Sequence, residues 1–170
     1  MHQNIDEVLY NEIYLVYSVS NFIHWIDEDV RRISTSGIFR RVRQEFEKKI
    51  HDENYEMKYF GMSGHDSNIS PILMSLGMAS VDCLMEELKN GPTPGKVCEK
   101  NPGYASNLIW ELSKQEEQYL VRVLYNGKAI FDCSSEISDS EYFGYCTIEQ
   151  YIKISQDKFE FTDEQLKEVC

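Results

Sequence analysis

The chain has 170 residues, of which 42% are hydrophobic and 27% charged, and its formal net charge is −12. This length fits one domain with a hydrophobic core. The acidic balance argues against nucleic-acid binding, which needs a basic face. The first residues have neither the basic start nor the apolar core of a secretory signal peptide.

Two helices are predicted in the first third of the chain. Residues 5–33 are helix-rich and have a broad apolar face. The positions of this face are Leu9, Ile13, Val16, Ser20 and Ile23, together with Phe22, Trp25 and Ile26. The apolar stretch 13–26 is far shorter than the ~20 residues of a transmembrane helix, so no membrane span is predicted. Ser34–Ser36 offer an N-cap for a second helix, predicted from about Gly37 to Ile50.

Basic residues cluster on this second helical stretch. They are Arg31, Arg32, Arg40, Arg41, Arg43, Lys48 and Lys49. A basic cluster on an acidic protein is usually a solvated face. We therefore predict a solvated helix face here and no nucleic-acid partner.

The seam between the next two predicted elements carries the most functional information. Met57–Met62 predicts a strand, and a small-residue turn leads into a helix that continues to about Gly77. His65 and Asp66 lie where this helix begins. A helix N-terminus favours anions, because its first N–H groups are unpaired and its dipole is positive there. An imidazole and a carboxyl group at this position indicate phosphate chemistry, although Asp66 is also a favoured N-cap residue.

Five cysteines occur, and no Cys-x-x-Cys pair is present, so no metal site is predicted. Cys83 and Cys98 flank a Gly/Pro-rich loop, while Cys133 and Cys146 flank a polar loop. Disulfides that close loops of this size each contribute roughly 3 kcal/mol in the chain-entropy model. Cys170 is left over. The alternative is a set of reduced, buried cysteines in a cytosolic protein.

The second half of the chain alternates strand and helix patterns. The predicted elements are a helix at 81–88, strands at 105–112, 119–124 and 128–131, and helices at 147–154 and from 162 onward. Asn126-Gly127 predicts a tight hairpin turn, because both residue types tolerate positive φ. Thr147 and Thr162 are predicted to cap the last two helices.

Four segments carry a resemblance to a known family. Ser63–Gly77 reads Ser-Gly-His-Asp-Ser-Asn-Ile-Ser-Pro-Ile-Leu-Met-Ser-Leu-Gly, and the other segments are Tyr104–Leu112, Val121–Lys128 and Cys146–Tyr151. The first resembles the second catalytic motif of the histidine acid phosphatases, branch 2 of the histidine phosphatase superfamily. The others resemble its following strands and a late Cys-Pro-Leu-type turn, with Thr147 in place of proline. The order and spacing match from about Ser34 to the C-terminus.

The resemblance implies an α/β fold with a phosphoglycerate-mutase-like mixed sheet flanked by helices. The chain would be an incomplete, C-terminal portion of that fold, with part of a helical cap at its N-terminus. Residues 1–33 would form the cap remnant, and residues 34–170 would belong to the α/β domain. No cofactor is implied. The family and the cysteine pattern indicate a secreted, lysosomal or vacuolar protein.

The resemblance also implies roles for the seam residues. His65 would bind phosphate and stabilise the transition state, and Asp66 would give a proton to the leaving group. This proton transfer needs a raised pKa of Asp66, or a bound phosphate that makes the carboxyl group hold a proton. The implied reaction is phosphomonoester hydrolysis at acid pH through a phosphohistidine. The implied partners are a phosphomonoester or phosphate, together with the family's N-terminal half.

One part of the family's apparatus is absent from these residues. The family's nucleophile is the histidine of an Arg-His-Gly motif, and none of His2, His24, His51 and His65 lies in such a motif. We therefore expect the chain to be a fragment or inactive alone. The alternative is a non-catalytic, truncated paralogue that acts as a binding protein. The family's final cysteine pairs with an upstream cysteine that is missing here, which would leave Cys170 unpaired.

Overall fold

A computed structural model describes residues 6–95, 97–131, 133 and 144–169. Within these residues the helices are α1 (Glu7–Phe22), a 3₁₀ helix (Ile23–Trp25), α2 (Glu28–His51), α3 (Asp66–Ser75), α4 (Val81–Asn90), α5 (Ile148–Lys158) and α6 (Asp163–Val169). The strands are β1 (Leu108–Gln115), β2 (Gln118–Tyr125), β3 (Lys128–Ala129) and β4 (Tyr145–Thr147). The predicted α/β class is confirmed, and the arrangement is consistent with a phosphoglycerate-mutase-like fold.

Strand β2 is the centre of a small antiparallel sheet. β1 pairs along its whole length, whereas β3 and β4 pair with two different parts of its other edge. Asn126 and Gly127 have φ values of 48° and 79°, so they form the predicted tight turn between β2 and β3. Every strand pair in the described ranges is antiparallel, whereas the sequence predicted a mixed sheet.

The strand predicted at Met57–Met62 does not form. This segment has no assigned secondary structure, and none of the described backbone hydrogen bonds joins it to another strand. Its side chains are largely exposed, up to 87% for Tyr59. A strand is stable only when a neighbour pairs with its N–H and C=O groups. The prediction was wrong because the apolar pattern does not reveal whether such a neighbour is present.

Helix α2 begins earlier than the sequence predicted. Its N-cap is Asp27, whose carboxylate accepts a hydrogen bond from the N–H of Val30 at 3.0 Å. The cap predicted at Ser34–Ser36 is wrong, because the helix runs through it and the Ser34 hydroxyl donates to the carbonyl of Val30 at 2.8 Å. The division between residues 33 and 34 therefore falls inside one helix, and the two-part organisation stays a prediction.

Helix α1 turns much of its predicted apolar face outward. Leu9, Ile13, Val16 and Ile23, which follows the helix, are each 48–53% exposed. The side chains that α1 buries are Leu15, Ser18 and Phe22. We call the exposed set Leu9, Ile13, Val16 and Ile23 the outer stripe. Its exposure leaves the inward surface of α1 partly polar.

The arginines of α2 largely bind the protein itself, so the prediction of a solvated face is wrong for them. Arg43 forms a bidentate ion pair with Glu160, with distances of 3.0 Å from Nε to Oε1 and 2.9 Å from Nη2 to Oε2. Arg32 donates to the Glu160 carbonyl at 2.8 Å, and Arg40 donates to the Phe161 carbonyl. These side chains fasten the segment before α6 to α2.

Two hydrophobic clusters meet at helix α3. One cluster joins α2, the sheet and α5, and it includes Ile72 of α3. The other joins α1, α3 and α4, and it includes Leu73. Both side chains are almost fully buried. Because consecutive residues of α3 enter different clusters, the helix and the seam at its start are fixed relative to both.

Both predicted disulfide pairs form. Cys83 pairs with Cys98, and Cys133 pairs with Cys146, with Cα–Cα distances of 5.7 and 5.3 Å. Cys170 lies outside the described residues. Thr147 caps α5 as predicted, in a capping box with Gln150. None of the helices in the described ranges is long and apolar enough to cross a membrane.

Candidate functional site

The seam before α3 places His65 and Asp66 side by side at a helix N-terminus. His65 is the N-cap; its N–H donates to Oδ1 of Asn68 at 2.9 Å, and the N–H of Asn68 donates to the His65 carbonyl at 3.0 Å. Gly64 permits this arrangement, because a Cβ there would lie 2.8 Å from Asn68 Oδ1. The imidazole of His65 is exposed and Asp66 is half-buried, so solvent reaches both side chains at this helix end.

Asp66 is the first residue of α3. The sequence had offered it as the N-cap, but the N-cap is His65, one residue earlier. Its two carboxylate oxygens are held differently. Oδ2 accepts hydrogen bonds from Nδ2 of Asn101 at 3.0 Å and from the hydroxyl of Tyr17 at 3.3 Å. Oδ1 accepts one from the N–H of Ser67 at 2.8 Å. These contacts bring α1, α3 and the segment after the Cys83–Cys98 disulfide together at one carboxylate.

These donors favour the charged form of Asp66. The hydrogen bond from Asn101 is the main cause that lowers the pKa of Asp66, and the Ser67 N–H, Tyr17 and the charge of His65 act in the same direction. Partial burial opposes them. In return, the carboxylate raises the pKa of Tyr17, so this phenol stays a hydrogen-bond donor.

The sequence left two routes by which Asp66 could hold a proton: a raised pKa, or a bound phosphate. The pKa of Asp66 is lowered, so the structure does not supply the first route. A phosphate beside the seam would place negative charge next to Asp66 and would raise its pKa. The role of Asp66 as a proton donor stays a prediction.

Residues 5–126 match the profile of the histidine phosphatase superfamily (branch 2). The chain belongs to this family. The matched range contains α1, which lies before the Ser34 start inferred from the sequence, and it ends ahead of Cys146–Tyr151. The resemblance of that late turn therefore stays a prediction. No curated protein matches the chain.

Membership of the histidine phosphatase family supports a phosphatase-type function at the level of the family, and the His-Asp seam lies inside the matched range. The two disulfides fit a protein of an oxidising compartment. The cross-strand pair between Glu111 and Arg122, at 2.6 Å, lies on the sheet. It connects β1 to β2 within the sheet.

The sequence did not identify the residues that hold Asp66 in this family member. They are Tyr17 on α1 and Asn101 in the segment between α4 and β1. A signal was present on α1, where polar side chains recur at i, i+3, i+4 and i+7: Tyr14, Tyr17, Ser18 and Asn21. A polar stripe on an otherwise apolar helix indicates a buried polar contact. Nothing in the local sequence identifies Asn101 as a site residue, because the side chains that it contacts lie on α1 and α3, far away in the sequence.

Proposed function

We propose that this chain supplies the phosphate-binding histidine and the proton donor of a phosphomonoester hydrolase that works at acid pH. The observation that carries the proposal is the pairing of His65 and Asp66 at the open N-terminus of α3, with Asp66 oriented from two other segments. The family match over this seam supports it. The substrate would be a phosphomonoester, and the family and disulfides favour a secreted, lysosomal or vacuolar setting.

The chemistry follows from the two side chains. A protonated imidazole at His65 donates charge-assisted hydrogen bonds to the phosphoryl oxygens and stabilises the charge that develops there. The phosphate raises the pKa of Asp66, which then holds a proton. As a histidine nucleophile forms its nitrogen–phosphorus bond, the ester oxygen–phosphorus bond breaks, and Asp66 transfers its proton to the leaving oxygen. Water then cleaves the phosphohistidine and releases phosphate.

The nucleophile in this proposal comes from a segment outside the 170 residues, because no histidine here lies in an Arg-His-Gly motif. Two exposed apolar surfaces next to the seam support a docking segment. The unpaired stretch Met57–Met62 ends three residues before His65, and the outer stripe lies on the helix that carries Tyr17. Exposed apolar surfaces of this kind mark interaction sites.

Phosphate binding tests the proposal without requiring turnover. We expect the chain to bind inorganic phosphate at acid pH in isothermal titration calorimetry. His65→Ala should weaken binding about ten- to hundredfold, because charge-assisted hydrogen bonds are lost. His51→Ala is the matched control, since His51 is an exposed histidine at the end of α2. Equal binding by all three proteins, or no binding by any, would contradict the proposal.

Hydrolysis of p-nitrophenyl phosphate separates the two parts of the proposal. Phosphate binding with negligible turnover would agree with a nucleophile supplied from elsewhere, since loss of a nucleophile typically lowers the rate by several orders of magnitude. Turnover that His65→Ala abolishes would mean that the chain contains its own nucleophile. That result would overturn the external-nucleophile part and leave the phosphate site in place.

A further inference from the structure

We propose that Asn101 is a positioning residue of the phosphate site, which holds the carboxylate of Asp66 in its working orientation and couples it to helix α1. The inference rests on the proposed role of Asp66 as the proton donor. Asn101 lies outside the His-Asp motif, 35 residues from Asp66 in the sequence, and its Nδ2 is 3.0 Å from Oδ2 of Asp66.

Asn101 is itself held on every side. It is only 6% exposed. Its backbone N–H donates to the Ser18 hydroxyl at 3.0 Å, and its backbone carbonyl accepts from the Tyr14 hydroxyl at 2.6 Å. Its side-chain Oδ1 accepts a hydrogen bond from Nδ2 of Asn21. Three side chains of α1 thus hold Asn101 in position.

The contacts with Asp66 and Asn21 agree on which end of the Asn101 amide faces the carboxylate. If the amide flipped, its NH₂ group would face the NH₂ group of Asn21, and its oxygen would face the carboxylate. Both contacts would then be repulsive. The observed orientation presents a donor to Asp66, as an ionised carboxylate requires, and the contact with Asn21 supports it.

The hydrogen bonds to Asp66 also indicate which of its carboxylate oxygens would carry the proton that the reaction needs. Oδ2 of Asp66 already accepts two hydrogen bonds, from Asn101 and Tyr17, whereas Oδ1 accepts one, from Ser67. Each carboxylate oxygen has two lone pairs. The transferable proton therefore belongs on Oδ1. Tyr17 alone would hold Oδ2 poorly, because its side chain is half-exposed and its contact is longer, at 3.3 Å.

The test is a carbon-13 NMR titration of the Asp66 carboxyl group in the full chain. Asn101→Leu removes the amide donor while keeping the size of the side chain. We expect it to raise the pKa of Asp66 toward the ordinary value of an aspartate, since the main cause of the lowered pKa is gone. Tyr17→Phe should raise it less. Asn107→Ala, an exposed asparagine of the following segment, is the control and should leave it unchanged.

The pH profile of phosphate affinity gives a second readout that a purely structural role would not move. In Asn101→Leu the pH dependence of phosphate affinity should move to higher pH, together with the pKa of Asp66. An unchanged Asp66 titration in a folded Asn101→Leu protein, or a larger rise in Tyr17→Phe, would overturn the inference. If Asn101→Leu fails to fold, Asn21→Ala removes one of the hydrogen bonds that hold the Asn101 amide beside Asp66, and it should raise the pKa of Asp66 partly. An unchanged pKa of Asp66 in that variant would also overturn the inference. If wild type binds no phosphate, the proposed function fails, while the titration still decides the role of Asn101.

Discussion

At the scale of single residues, the carboxylate of Asp66 would link the proposed proton transfer to the stability of the fold. Because its pKa is lower in the folded chain than the ordinary value, its contribution to stability is present at neutral pH. That contribution is lost as the pH falls through the folded pKa of Asp66. The proposed site would therefore lose some stability at the acid pH where it is proposed to work, and a bound anion would raise the pKa of Asp66 toward that pH.

The ion pair between Arg43 and the buried Glu160 should contribute substantially to stability. Glu160 is buried, and its carboxylate is held by Arg43 and by the Ser155 hydroxyl at 2.9 Å. Arg43→Met would leave this carboxylate uncompensated, so we expect a loss of about 3 kcal/mol in the free energy of unfolding. Arg41→Met is the matched control, because Arg41 pairs with Glu45 from an exposed position; about 0–1 kcal/mol is expected there. Urea denaturation measures both, and equal losses would contradict the assignment.

The site was only partly predictable from the residues themselves. His65 and Asp66 could be found, because they are adjacent and lie at a recognisable strand-to-helix pattern. The donors to Asp66 could not be paired with it, because they lie 35 and 49 positions away in the sequence. Hydrogen bonds between distant segments depend on the packing of α1 against α3, which no local pattern encodes.

At the scale of elements, caps and turns were more predictable than helix faces. The Asn126-Gly127 turn and the Thr147 cap form as their local chemistry requires. The break between α1 and α2 occurs at Asp27, because its carboxylate caps α2 while the hydroxyl of Ser34 bonds within the helix. Ser and Thr can serve either as caps or as interior residues, and the sequence alone did not distinguish these uses.

The Cys83–Cys98 disulfide should influence the site at a distance. It anchors the segment that leads to Asn101, and Cys98 is buried against α1 and α4. Replacing both cysteines by alanine should lower the free energy of unfolding by roughly 3 kcal/mol and should raise the pKa of Asp66, because Asn101 is held less firmly. Removing Cys133 and Cys146 should lower stability similarly and leave the Asp66 titration unchanged. Thermal unfolding and the NMR titration check both parts, and a shift in both variants would contradict the link.

At the scale of the whole molecule, the α/β class followed from the sequence, but the surroundings of the sheet did not. Hydrophobic periodicity suggested a strand at Met57–Met62 and a broad apolar face on α1. In the fold, that segment is unpaired and the outer stripe is exposed. An apolar periodicity indicates that a surface is suited to burial. It does not indicate whether the element that would cover this surface belongs to these 170 residues. This difference agrees with a proposed site that needs a further segment.

The central claim is that phosphate binds at the seam before α3, and an NMR titration tests it most directly. Inorganic phosphate would be added at acid pH to the nitrogen-15-labelled chain, and the amide signals would be followed. The account predicts that the largest shifts occur at His65, Asp66 and Ser67, because these residues carry or adjoin the side chains proposed to contact phosphate at the start of α3. Shifts concentrated instead at the exposed lysines of α2, Lys48 and Lys49, or no shifts at all, would contradict it.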